Sequence, residues 1–86
     1  MHATEKQLEK AKEFLKEIRK IPELKEKKEG IFCIKNSAFL HFHYFNEELF
    51  FDLKKGEKWQ RISTPKTKEE IIKKIKIIEK AVKEVI

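Results

Sequence analysis

Apolar residues follow two different rhythms along this chain. From Leu8 through Ala11, Leu15 and Ile18 they fall at helical spacing, with Phe14 and Ile21 widening the stripe. Thr4-Glu5-Lys6-Gln7 just ahead has the spacing of a capping box. Pro22 disfavours helical geometry at Ile21, so the first helix is predicted to end near Lys20. Glu5, Glu9, Glu13 and Glu17 form a like-charge row on its solvated face, offset by Lys12, Lys16 and Lys20. Residues 23–29 are polar and end at Gly30, which reads as a frayed turn or a loop.

Beyond Gly30 the helical period gives way to alternation. Strands are predicted over residues 31–35, 38–45, 48–54 and 58–62, joined by turns at Asn36-Ser37, Asn46-Glu47 and Lys55-Gly56. Thr64-Pro65 breaks the sheet, and Thr67-Lys68-Glu69-Glu70 has the spacing of a second capping box. The last helix carries Ile71, Ile75, Ile78, Val82 and Val85 on one side, broadened by Ile72, Ile77, Ala81 and Ile86. An apolar stripe that wide must meet more than a sheet: the first helix or another subunit. Short connections imply an antiparallel meander, with both amphipathic helices sharing one of its faces. The expected fold is therefore α+β, a two-layer sandwich of a four-stranded antiparallel meander with N- and C-terminal helices on one face. It forms one domain over residues 1–86.

Alternation also sorts the central hairpin. Ala38, Leu40, Phe42 and Tyr44 share one face of its first strand, and Phe39, His41, His43 and Phe45 share the other. In the second strand Leu49, Phe51 and Leu53 are wholly apolar, whereas Glu48, Phe50, Asp52 and Lys54 are mixed. The apolar sets must go inward together, because a slip of one residue would bury Asp52 and Lys54. A two-residue loop at Asn46-Glu47 then pairs Tyr44 with Leu49, Phe42 with Phe51 and Leu40 with Leu53. His43 falls opposite Phe50 and His41 opposite Asp52, on the outer face. A three-residue loop with Gly56 in a bulge would turn Trp59 inward against Phe51. Phe32 and Ile34 are expected inward on size, leaving Cys33 beside His41. A strict two-residue loop at Asn36-Ser37 would instead turn Cys33 inward.

Charge changes the picture by position rather than in total. The chain carries a net charge of +6, and residues 54–76 account for all of it with nine basic against three acidic side chains. Lysine outnumbers arginine 19 to two, a bias reported for hyperthermophiles. One cysteine excludes an intramolecular disulfide and fits a reducing compartment. No apolar run approaches a membrane span, and residues 1–6 lack the order of a signal peptide, so a cytoplasmic protein is expected.

The outer face of the hairpin draws the candidate chemistry. Phe39, Phe45 and Phe50 around His41, His43 and Asp52 would make an aromatic patch that monomers rarely leave in water. This predicts a binding or assembly module, most simply a homodimer joined through that face. Nucleic acid is the alternative partner, with bases stacked on the sheet aromatics and phosphates tracked by Lys54, Lys55, Lys58, Arg61 and Lys66. No RNA-binding sheet motif or arginine cluster accompanies them. A divalent, zinc-like metal is the further alternative. His41 and His43 project the same way, Asp52 faces His41, and Cys33 would complete a set of nitrogen, sulfur and oxygen ligands. No other cofactor is implied. A catalytic reading has least behind it: a His41–Asp52 pair could orient a base, but no nucleophile is placed beside it, and Gly30 and Gly56 make no phosphate loop.

Two resemblances accompany these readings. The element order resembles that of frataxin-like two-layer domains. Ala38-Phe39-Leu40-His41-Phe42-His43 followed by Asp52-Leu53 resembles a strand pair in bacterial luciferase-type domains. The first is a likeness of outline and the second of one strand pair, and neither implies a reaction.

Overall fold

The computed structural model describes residues 2–86. The predicted first helix is present but interrupted: α1 (Glu5–Leu8) passes through a 3-10 turn (Glu9–Ala11) into α2 (Lys12–Ile18). Both halves of the first capping box form, with Thr4 N–H donating to Gln7 Oε1 and Gln7 N–H to Thr4 Oγ1. Five strands follow: β1 (Lys25–Lys28), β2 (Ile31–Ile34), β3 (Ser37–Phe45), β4 (Glu48–Lys55) and β5 (Lys58–Ser63). They form one antiparallel sheet in sequence order. The chain closes with α3 (Lys68–Val85), where Thr67 Oγ1 accepts from Glu70 N–H. Glu70 reaches back to Lys66 N–H, one residue further than a capping box requires.

The expected four strands are therefore five. Residues 25–28, Lys-Glu-Lys-Lys, have no apolar alternation and form a strand because the chain brings them against β2. Glu26 holds them there. Its carboxylate accepts from Arg19 at 2.7 and 3.0 Å and from Gly30 N–H at 3.0 Å. Gly30 must be glycine at this corner, since its φ is +79° and a Cβ would come within 2.9 Å of Leu8 Cδ1.

The β3–β4 register is the one expected, from Leu40 opposite Leu53 to Phe45 opposite Glu48. Asn46 and Glu47 both take positive φ, as a type I′ turn requires. The other two hairpins depart from expectation. Lys35 and Asn36, rather than Asn36 and Ser37, make the β2–β3 turn at positive φ. Partway along, β3 inserts an extra residue: Phe32 faces Leu40 while Cys33 faces Ala38. That bulge turns Phe39 into the core, where it is 2% exposed. The expectation that Phe39 lies on the outer face is thus corrected. Gly56 and Glu57 make a two-residue β4–β5 loop with positive φ at Gly56 alone, so no bulge forms there. Trp59 consequently pairs with Lys54 on the outer face and is 42% exposed, rather than packing inward on Phe51.

The core joins Phe14, Leu15 and Ile18 from α2 and Ile78, Ala81 and Val82 from α3 to Phe32, Leu40, Phe42, Phe51 and Leu53 of the sheet. Phe42 lies 6.0 Å from both Phe14 and Phe51, centroid to centroid. The wide stripe of α3 is only partly covered, and Ile72 is 56% exposed. The two sheet edges differ. β1 is short, charged and irregular in register, whereas β5 pairs regularly with β4 along its whole length. No helix among the described residues is long and apolar enough to cross a membrane.

Candidate metal centre

Three elements converge on the outer side of β3. Alternation and the I′ turn place His41 and His43 beside Asp52 and Phe50 of β4. The next hairpin sets Arg61 opposite Asp52 and Trp59 opposite Lys54. The third element is the N-terminal segment. β2 pairs with β3 only as far as Gly30, whose carbonyl accepts from Phe42 N–H, and His2-Ala3 occupies the next stretch of that edge. Ala3 N–H donates to Phe42 O at 3.1 Å, and His2 bridges to His43.

This arrangement gathers His2, His41 and His43. One ligand nitrogen from each lies within 4.8 Å of the others. The His2 ring stacks on His43 and meets His41 edge-on, both at 5.1 Å. The rings of His41 and His43 are 4.7 Å apart, and Trp59 closes the far side of His41 at 4.6 Å. Asp52 sits behind them. Its Oδ2 is 3.1 Å from His43 Nε2 and 3.9 Å from His41 Nδ1, and Arg61 holds both its oxygens at 2.9 and 3.1 Å.

The electrostatics follow from this crowding. Burial pulls His41 below the ordinary imidazole value; His43 adds to the effect, and Asp52 opposes it without prevailing. His41 Nδ1 is buried with no hydrogen-bond partner, a cost that a ligand could remove. Burial pushes the Asp52 carboxyl up, but the hydrogen bonds and charge of Arg61, with smaller help from both histidines, hold it below the usual range.

The predicted site residues are thus partly brought together. His41, His43 and Asp52 meet as expected. Phe50 is half-buried beneath Arg61, whose guanidinium is 5.9 Å from its ring, and Phe45 is 61% exposed at the hairpin end. Cys33 is not in the metal-ligating group, because the bulge sets it opposite Ala38 and makes Ile31 the β2 neighbour of His41. The basic set is divided. Arg61 is engaged by Asp52, and Lys54 Nζ lies 5.5 Å over Trp59. Lys55 and Lys58 close the β4–β5 hairpin, while Lys66 lies beyond the other end of β5. His2 was not among the expected ligands. Its only signal is residue type, since 39 positions separate it from His41.

No protein-family model, curated protein or solved structure matches this chain.

Proposed function

We propose that the protein binds a divalent transition metal, zinc-like in its preference for imidazole, on the outer face of its sheet through His2, His41 and His43. The carrying observation is that three imidazoles from two separate segments each bring a nitrogen within 4.8 Å of the others. Tetrahedral bonds of ~2.0–2.1 Å put ligand nitrogens roughly 3.3 Å apart, so the cluster would tighten modestly on binding. His2 is exposed where His41 and His43 are half-buried, so it is the ligand with most room to move.

Asp52 has the position of a carboxylate behind a ligating histidine, orienting His43 through Nε2 so that the metal bond falls to the other ring nitrogen. Arg61 already occupies both carboxylate oxygens, which favours this supporting role over direct ligation. The lowered proton affinity of His41 helps as well, because a metal needs the neutral ring.

The assembly reading of this face retains Phe45, Phe50, His41, His43 and Asp52 but loses Phe39 to the core. The nucleic-acid reading is weakened by the separation of Lys66 from the hairpin lysines and by the Asp52–Arg61 pair. Metal binding draws on the most geometry.

The test is titration of chelator-treated protein with Zn(II) and with Co(II), whose visible bands report imidazole ligation. One equivalent should bind, and His2→Ala, His41→Ala and His43→Ala should each weaken binding. Unchanged spectra at micromolar protein with excess Co(II), together with no Zn(II) binding, would sink the reading.

A further inference from the structure

The histidine centre supplies three donors, and the fold keeps two further ones away from it. Among the described residues, no cysteine or carboxylate joins His2, His41 and His43 at ligand spacing. The bulge that sets Cys33 opposite Ala38 removes the thiol from the group. Asp52 is close, 3.1 Å from His43 Nε2, but Arg61 engages both of its oxygens. A tetrahedral divalent ion on three imidazoles therefore has one position that these side chains do not fill.

Charge indicates what would fill it. The outer-face positions of β3, β4 and β5 carry Glu48 and Asp52 against Lys54 and Arg61, so their formal charges cancel. Imidazoles bind a metal as neutral rings, which leaves the ion's double charge uncompensated. Both core-forming helices, α2 and α3, pack on the inner face, and His2 on the outer one is exposed. Solute therefore has a way in.

We propose that the fourth position takes an anionic oxygen donor from solution, a carboxylate or a phosphate, and that Arg61 keeps the position open by holding Asp52. This rests on the metal reading of the site and adds a ligand class to it. Such an anion offsets part of the ion's charge and makes the bond that neither Cys33 nor Asp52 supplies. Without Arg61, Asp52 is placed to close the position itself, since its Oδ2 is already 3.9 Å from His41 Nδ1.

The test loads the protein with one equivalent of Co(II) and titrates it with acetate in one arm and phosphate in the other. Bound cobalt is measured throughout. A saturable shift of the visible bands at constant bound cobalt is expected, and the arm that saturates at lower concentration identifies the preferred class. Arg61→Gln, with its fold checked by circular dichroism, should still take up Co(II) but lose the shift. Bands that ignore both anions while cobalt stays bound would overturn this inference and leave the metal reading standing. Bleaching as cobalt is stripped away, with no new spectrum, would overturn it too. A shift undiminished in Arg61→Gln, or no cobalt uptake by that variant, would overturn the role given to Arg61. No uptake by the unaltered protein would sink the inference and the metal reading together.

Discussion

Phe39 and Leu40 are neighbours in one strand, yet both side chains lie in the same buried core. The bulge between the Phe32–Leu40 and Cys33–Ala38 pairs makes this possible. Its first consequence is energetic. Phe39→Ala should destabilise the protein by ~3–5 kcal/mol, the range for emptying a buried phenylalanine site, and Phe42→Ala should cost a similar amount. Urea unfolding measures both. A loss under ~1 kcal/mol at Phe39 would mean that its ring is not part of the core.

Glu26 should govern the outermost strand. Burial pushes its carboxyl up, but Arg19 and Gly30 N–H outweigh this and hold it below its ordinary value. A carboxylate lowered on folding contributes stability that is present above its unfolded pKa and lost as pH falls through the folded one. Stability should therefore decline on acidification below the ordinary glutamate range, and Glu26→Gln should remove that part of the slope. Near neutrality the substitution should cost about 0.5–1 kcal/mol, because Arg19 is open enough for solvent to screen the pair. Amide exchange along β1 and β2 should quicken selectively. Uniform exchange in the variant would argue that β1 does not depend on this clip.

Asp52→Asn separates a supporting carboxylate from a ligand. Losing a partner behind a ligating histidine typically costs 10–100-fold in metal affinity, and about that loss is expected here with Co(II) bands of unchanged number. Complete loss of binding would make Asp52 a ligand in its own right. No change at all would remove it from the centre.

The two glycines should respond unequally to alanine. Gly56 has a φ of +64° with nothing near its absent Cβ, so Gly56→Ala should cost only the strain of a left-handed alanine, ~1–2 kcal/mol. Gly30→Ala adds a contact at 2.9 Å with buried Leu8, which must shift, and should lower the thermal midpoint further. Equal midpoints would show that Leu8 yields freely.

What could be read in advance divides along physical lines. The β3–β4 register was legible because two alternating apolar sets and one turn all demand the same pairing. Trp59 was not, because a loop one residue shorter reverses every side chain in β5. β1 is not legible in the sequence, because strand identity there comes from a partner and an Arg19–Glu26 clip, with no apolar alternation to announce it. The inward turn of Phe39 is not legible either, because the bulge that inverts its parity leaves no mark in residue type. Within the candidate centre, His41, His43 and Asp52 follow from local alternation. His2 arrives through tertiary pairing across 39 positions, which no local pattern records.

The unlike edges of the sheet set a limit on how far it can be extended. A strand laid against β5 would meet only Lys58 and Arg61 as charges. One approaching β1 would meet Lys25, Glu26, Lys27 and Lys28 on a ladder that is already out of step. Edge-to-edge growth is therefore opposed at the β1 side by charge and by register together.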